Sequence, residues 1–144
     1  MIYQRLIDTN DADIPQLCRV MNLPRISRFI SYDKEKYWQY ITSTATVFYY
    51  KVYEKDDIVG AIHLEIENDI LHMCLLVFPQ YQKQGIGRRI IQDIQDGMLP
   101  IQFSKIEVAI DESNVASICL FEKMDFKFIS KEAELLTYVY QSHI

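Results

Sequence analysis

The sequence predicts an α+β fold, with one mixed and mostly antiparallel sheet that carries helices on both faces. Segments of helical and strand periodicity follow each other in the order β-α-α-β-β-β-α-β-α-β-β. A helix between two strand segments in the middle of the chain predicts one parallel crossover, whereas short turns between the other strands predict antiparallel pairing. Neither a linker nor a repeat interrupts the 144 residues. We therefore expect a single domain over residues 1–144.

The first half of the chain predicts a strand, two helices and a meander. Tyr3–Asp8 has strand character, and the helix after it is expected to have Asp13 as its N-cap and Pro15 in its first turn. A second helix is expected to begin at Asp33. The three strands of the antiparallel meander are Thr46–Tyr53, Ile58–Ile66 and Ile70–Phe78.

The second half begins with an amphipathic helix over Gly85–Met98, which Pro100 ends. Its apolar face contains Ile86, Ile90, Ile91 and Ile94, and its polar face contains Gln92, Asp93, Gln95 and Asp96. The remaining predicted elements are a strand, a helix and a final hairpin: Ser104–Ile110, Asn114–Met124, and Phe126–Ser130 with Glu134–Tyr140. The first of these strands should run parallel to Ile70–Phe78 and splay away from it.

Composition argues against several classes of protein. A formal net charge of −5 gives no support for general nucleic-acid binding, which normally uses a basic face. The longest apolar stretches, such as Ile70–Pro79, are too short to cross a bilayer, and Met1–Asp8 shows no signal pattern. The three cysteines lack the spacing of a disulfide framework or a zinc site. These observations predict a cytoplasmic protein with no metal, no nucleic-acid partner and no membrane partner.

Residues 75–91 are the most informative segment for function. A strand ends at Pro79, a polar loop follows, and two glycines, Gly85 and Gly87, begin a helix. Unpaired backbone N–H groups and the helix dipole make such a loop an anion-binding site, and glycine keeps side chains away from the anion. Positive charge is added by Lys83, Arg88 and Arg89.

Three glycine-rich patterns compete for this loop. A dinucleotide-binding loop requires a third glycine where this chain has Ile90, and no P-loop pattern is present. The pattern Q-x-x-G-x-G is matched in full by Gln82, Gly85 and Gly87. Here the chain resembles the GNAT superfamily of N-acetyltransferases, whose pyrophosphate-binding loop has that form after a V-x-P-x-Y strand end. Those flanking positions are Val77, Pro79 and Tyr81.

A second segment, residues 114–126, resembles the same family's pattern N-x-x-A-x-x-L-Y-E-K-x-G-F. The residues that match it outright are Asn114, Leu120, Glu122, Lys123 and Phe126, and Ser117 replaces the small alanine. The match extends over residues 75–126, about a third of the chain.

The resemblance implies that acetyl-CoA is the co-substrate, and that its acetyl group is transferred directly to a primary amine of a small molecule or peptide. Leu76 and Val77 would pair with the pantetheine arm through their backbone, and Asn114 and Ser117 would contact the arm or the thiol end. The pyrophosphate would be held by Gln82, Lys83, Gln84, Gly85, Ile86, Gly87 and Arg88. Dimers are common in such families, so a homodimer is also an expectation.

The acid and base of the reaction are less well indicated. Phe121 occupies the position where many family members have a tyrosine that protonates the leaving thiolate, so Tyr138, Tyr140 or solvent would have to replace it. Glu107 resembles a glutamate that serves some members as general base, but a solvated carboxylate on a strand is the alternative. His72 is interpreted as a structural histidine, and His63 gives no specific signal.

The acceptor site is the least defined part. The segment Pro24–Tyr32 lies where family members have a substrate-gating segment, and Arg25 and Arg28 are candidates for binding a substrate carboxylate. Three aromatic residues either line the acceptor cleft or pack in the core: Tyr32, Tyr37 and Trp38. Because Phe121 cannot donate a proton, a non-catalytic acyl-CoA-binding sensor or interaction module is the alternative function.

Overall fold

The computed structural model describes residues 1–27 and 36–143. Its strands form one sheet in the order β1-β2-β3-β4-β5-β7-β6. The strands are β1 (Ile2–Arg5), β2 (Val47–Glu54), β3 (Asp57–Glu67), β4 (Ile70–Val77), β5 (Lys105–Asp111), β6 (Lys127–Glu132) and β7 (Leu135–Gln141). Among these pairs only β4 and β5 run parallel. The predicted mixed and mostly antiparallel sheet is confirmed.

Helices cover both faces of this sheet, as predicted. They are α1 (Ile14–Met21), α2 (Pro24–Ser27), α3 (Tyr37–Ser43), α4 (Ile86–Gln95) and α5 (Val115–Lys123), and a 3₁₀ turn spans Pro79–Tyr81. Alternate residues of a strand point to opposite faces, and β2 shows this directly. Its Val47 and Tyr49 lie in a core with α1–α3, while Tyr50 and Val52 lie in a core with α4 and α5.

Two helix predictions need adjustment. The predicted start of the second helix, Asp33, lies outside the described residues, and α3 begins at Tyr37. Gln95 was expected on the solvent side of α4, but it is buried and its Nε2 donates to the Met124 carbonyl at 2.7 Å. This hydrogen bond satisfies the buried amide and ties α4 to the end of α5, which explains how a polar side chain is accommodated there.

Asp13 is the N-cap of α1, as predicted, but its side chain does not cap the helix. Together with Asp11 it binds the buried Lys51 of β2, at 2.9 Å from Asp13 and 2.7 Å from Asp11. Tyr53 also donates a hydrogen bond to Asp13. Burial alone would raise the pKa of Asp13, but these hydrogen bonds outweigh it and the pKa is lowered. The ionised cluster fastens α1 to the sheet.

Replacing Lys51 with alanine should lower the free energy of unfolding by about 2 kcal/mol, because two partly buried carboxylates would lose their cation. Urea denaturation measures the loss. Lys127→Ala, which removes an exposed partner of Asp125, is the control and should change stability little. Since the pKa of Asp13 is lowered in the fold, its contribution is present above the ordinary aspartate pKa and is lost as the pH falls. The difference in unfolding free energy between wild type and Lys51→Ala should therefore become smaller at acidic pH. Equal losses of stability in Lys51→Ala and Lys127→Ala would contradict this account.

The pairing of β4 with β5 is short. It joins Ile70 to Lys105, Leu71 to Ile106 and His72 to Glu107, after which the strands separate. The prediction that these strands run parallel and splay apart is confirmed. No helix within residues 1–27 and 36–143 is long and apolar enough to span a bilayer.

Candidate active site

The separation of β4 from β5 opens a cleft of about 1070 Å³. One end of the cleft lies at the beginning of α4. The other end is formed by polar side chains of β3, β4 and β5, and α5 contributes a wall. The cleft therefore connects a helix N-terminus to a cluster of carboxylate and imidazole groups.

The edge of β4 that faces the cleft carries unpaired backbone groups. In antiparallel strands, alternate residues point their N–H and C=O toward the partner. Phe78 donates its N–H to a carbonyl of β3 at 2.8 Å, so Leu76 and the alternate residues before it also point toward β3. The remaining residues point toward the space that β5 has left: Met73, Leu75 and Val77.

Leu76 therefore lies apart from the cleft, in contrast to the expectation from sequence. Its side chain is buried in the core with α1–α3, and its neighbour Leu75 lines the cleft instead. Val77 lines the cleft, as does Gln82, whose Nε2 donates to the Val77 carbonyl at 3.0 Å. This side-chain hydrogen bond closes the turn between β4 and the loop, and it leaves the Val77 N–H directed at the cleft.

The loop before α4 presents a continuous run of unpaired amides. The backbone N–H groups of residues 83–88 have no acceptor among the described residues, whereas the flanking amides of Gln82 and Arg89 are bonded to carbonyls of Pro79 and Gly85. Lys83 and Gly85 adopt left-handed backbone conformations, with φ of 63° and 80°. Left-handed residues within such a turn bring successive N–H groups onto one concave side, which is the geometry of an anion nest.

The two glycines of this loop have different structural roles. A Cβ on Gly85 would have nothing within 4 Å, so glycine is required there by its φ of +80°. A Cβ on Gly87 would lie 3.2 Å from the Leu120 side chain and 3.6 Å from that of Leu75. Gly87 therefore allows α4 to pack closely against α5 and β4.

The charged and polar side chains of the loop divide into two groups. Lys83 and Arg88 line the cleft, together with Lys123 of α5. Arg89 turns away and pairs with Glu54 at 2.6 Å. Gln84 does not line the cleft, because its side chain donates back to the Gln80 carbonyl at 3.3 Å, although its backbone amide belongs to the unpaired run. Ile86 lines the cleft and is buried.

Helix α5 supplies the opposite wall. Asn114 is its N-cap, and its Oδ1 accepts a hydrogen bond from the Ser117 N–H at 3.3 Å. Asn114 and Ser117 both line the cleft. Phe121 also lines it, and its ring packs edge-on against Phe126 with centroids 5.0 Å apart. The position where family members have a tyrosine is thus an apolar wall anchored in the core.

The two tyrosines suggested as replacement acids do not reach the cleft. Tyr138 donates its hydroxyl hydrogen to Glu122 at 3.0 Å, and Tyr140 packs against Phe126. Both are buried in the core with α4 and α5 and neither lines the cleft. The reason is register: Tyr138 pairs with Val108 and Tyr140 with Ile106, whose side chains point into that core.

Glu107 lies where the pairing of β4 and β5 ends. It is opposite His72, which is in turn opposite Glu65 of β3. Residues paired in this way share a face of the sheet, and all three line the cleft. The side chains of Glu107 and His72 have no hydrogen bond or ion pair to another described residue, so the interpretation of His72 as a satisfied structural histidine is not supported.

His63 also lines the cleft, although the sequence had given no reason to select it. Its Nδ1 lies 2.7 Å from the Tyr37 hydroxyl, and its Nε2 lies 3.6 Å from Glu65. The available signal was the pattern of β3, where two polar residues two positions apart, His63 and Glu65, interrupt the apolar interior of the strand. That spacing places both side chains on one face of the sheet.

Few residues of the expected acceptor segment can be placed. Arg28 and Tyr32 lie outside the described residues, as does the side chain of Arg25. The other two aromatic candidates both lie in α3: Tyr37 lines the cleft, and Trp38 is buried in the core with α1–α3. Tyr37 therefore fits the alternative of a cleft-lining residue, and Trp38 fits the alternative of a core residue.

The comparisons with known proteins agree with this architecture. Residues 16–135 match the family model described as the acetyltransferase (GNAT) domain. A domain from Methanocaldococcus jannaschii DSM 2661 superimposes with a TM-score of 0.80 at 22% identity, over 97% of each chain. The comparison with curated protein sequences found no significant match.

Two solved N-acetyltransferases share the fold. Spermidine N-acetyltransferase from Vibrio cholerae, in complex with CoA and spermine, gives a TM-score of 0.80 at 15% identity, over 98% of this chain and 95% of that one. The ribosomal-protein-S18-alanine N-acetyltransferase from Escherichia coli gives 0.74 at 13% identity, over 99% and 96%. Because the family model spans most of the sequence, the chain belongs to the GNAT acetyltransferase family and is an acyltransferase.

Proposed function

We propose that the protein transfers the acetyl group of acetyl-CoA directly to a primary amine. The observation that carries this proposal is the continuity of the cleft, which runs from an anion-binding loop, along an unpaired strand edge, to carboxylate and imidazole side chains. Acetyl-CoA is a long molecule with a charged diphosphate toward one end and a thioester at the other. That arrangement matches the order of the groups along the cleft. The three cysteines form no disulfide, which fits a reducing compartment, and we place the reaction in the cytoplasm.

In this proposal the amides of residues 83–88 bind the pyrophosphate, and Lys83 and Arg88 add positive charge. The pantetheine arm then follows β4 toward the sheet interior. From Val77 to Met73 the strand advances roughly 13 Å at about 3.3 Å per residue. Along this length the arm can hydrogen-bond to backbone groups of Leu75 and Val77, with Asn114 and Ser117 on the opposite wall.

The acetyl group would then lie near Glu107, where the strands part. The amine nitrogen attacks the thioester carbonyl, a C–N bond forms, and the C–S bond breaks as the CoA thiolate leaves. Glu107 takes the proton that the nitrogen loses when this bond forms. Because the side chain of Phe121 has no ionisable hydrogen to donate, the leaving thiolate takes its proton from protonated Glu107 or from water. One carboxylate can therefore serve as base and then as acid.

The test is thiol release from acetyl-CoA with a panel of amines: alkyl diamines, amino acids and short peptides with free N-termini. We expect release above background with at least one class, together with an N-acetylated product identified by mass spectrometry. Matched alcohols, which present a hydroxyl instead of the amine, are the control and should give background rates. Acetyl-CoA binding without turnover of any amine would contradict the proposal and favour a non-catalytic acyl-CoA-binding module.

A further inference from the structure

His63 of β3 lies at the end of the cleft that contains Glu107, where we propose that the acceptor amine binds. It is one strand away from the opening between β4 and β5. Its partner in the β3–β4 register is Cys74, which follows the last pair that joins β4 to β5. Neighbouring strands are about 5 Å apart. The imidazole is therefore within one strand spacing of the region where the thioester would end.

The contacts of His63 indicate which ring nitrogen is available. The Tyr37 hydroxyl lies 2.7 Å from Nδ1, which is a normal hydrogen-bond length. Glu65 lies 3.6 Å from Nε2, which is too long for a hydrogen bond. Tyr37 therefore occupies Nδ1, and Nε2 is the ring nitrogen that accepts a proton when the hydrogen of the neutral ring is on Nδ1.

The groups that surround His63 favour a neutral ring that can take up a proton. Burial lowers the pKa of His63, and the Glu65 carboxylate opposes this effect. The other ionisable groups nearby are Tyr49 of β2, with its ring 6.1 Å away, and Cys74, which is opposite His63 on β4. Tyr40 of α3 donates a hydrogen bond to Glu65 and so holds its carboxylate in place. Once Nε2 is protonated, Glu65 is the anion beside it.

We infer that His63 is a catalytic base that removes the first proton from the bound acceptor ammonium, with Tyr37 and Glu65 as its positioning residues. The inference rests on the proposed function and assigns the acceptor to alkylammonium ions rather than to amines that are neutral in solution. It also gives His63 a role separate from that of Glu107.

The acceptor nitrogen loses two protons in the course of the reaction. An alkylammonium ion has no lone pair, so it must lose one proton before it can attack. The nitrogen loses a second proton after the C–N bond has formed. The first goes to His63 Nε2 and from there to water, while the second goes to Glu107 and returns to the CoA thiolate or to water. The net products are the N-acetyl amine, CoA thiol and one proton.

The test compares His63→Gln with wild type, using the best alkylamine of the panel. We expect kcat/KM near pH 7 to fall roughly 100-fold, with the acetyl-CoA dissociation constant unchanged. An alkylamine has a pKa of about 10.4, so the substrate itself becomes neutral at high pH. The deficit of His63→Gln should therefore shrink by about tenfold for each pH unit above 7, a recovery that a merely structural defect would not produce. Tyr37→Phe and Glu65→Gln should show smaller losses and a shifted acidic limb of the pH profile.

His143→Gln is the matched control, because His143 is exposed and pairs only weakly with Asp125 at 3.9 Å, outside the cleft. It should behave as wild type. A His63→Gln enzyme with full activity, or with a deficit that stays constant as the pH rises, would overturn the inference while leaving the proposed function intact. If wild type turns over no amine at any pH, the proposed function fails and the inference fails with it.

Discussion

Replacement of Gly85 by valine is expected to weaken the binding of acetyl-CoA by at least roughly 100-fold. Gly85 has a φ of +80°, a conformation that a β-branched residue avoids. The loop must then change its backbone, and the unpaired amides of residues 83–88 no longer converge. Loss of two hydrogen bonds to a charged pyrophosphate, at about 1.5 kcal/mol each, corresponds to that factor. Isothermal titration calorimetry measures it.

The control for this variant lies at the other end of the same helix. Gly97 follows α4 with a φ of +75° and does not line the cleft. Gly97→Val should therefore impose a similar backbone strain and a similar loss of thermal stability, but it should leave the dissociation constant unchanged. If both variants bound acetyl-CoA as wild type does, the anion-binding role of the loop would be refuted.

Replacement of Glu107 by glutamine should reduce kcat by roughly 100-fold while acetyl-CoA still binds normally. The amide is nearly isosteric with the carboxylate, so packing at the end of the β4–β5 pairing is preserved. What is lost is the group that accepts a proton from nitrogen as the C–N bond forms. Steady-state kinetics with one active amine, together with calorimetry for the donor, separates the loss of rate from any loss of binding.

Glu112→Gln provides the comparison for this effect. Glu112 follows β5 directly, but it pairs with Lys131 at 2.6 Å and does not line the cleft. The same chemical change there should leave kcat unaltered. A Glu107→Gln enzyme with wild-type kcat would identify Glu107 as a solvated carboxylate of the strand, the alternative that the sequence had left open.

The parts of the molecule that the sequence predicted are those encoded by local pattern. The isoleucines of α4 recur with helical spacing, and all of them are buried. The glycine loop and the Asn114 cap are contiguous motifs, so their positions follow from a few neighbouring residues. Backbone direction is different: whether Leu75 or Leu76 faces the cleft depends on the register of β4 with β3, which a motif does not specify.

The acceptor end of the cleft could not be assembled from sequence because its residues come from separate elements. Tyr37 and His63 are 26 positions apart yet in hydrogen-bond contact. Glu65, His72 and Glu107 become neighbours only when three strands are in register. The wrong expectation for Tyr138 and Tyr140 has the same origin, since both alternate onto the face that is buried under α4 and α5.

The unpaired amides of the loop lie at the opposite end of the cleft from Glu107 and His63. In the proposed complex they contact the part of acetyl-CoA that does not react, so their contribution is the same before and after acetyl transfer. Such uniform binding raises the occupancy of the donor but does not lower the barrier of the chemical step. In the same complex the product CoA would keep all of these contacts, so it would compete with acetyl-CoA for the loop. If the proposed complex forms, CoA is expected to act as a product inhibitor, and the rate should depend on the ratio of acetyl-CoA to CoA.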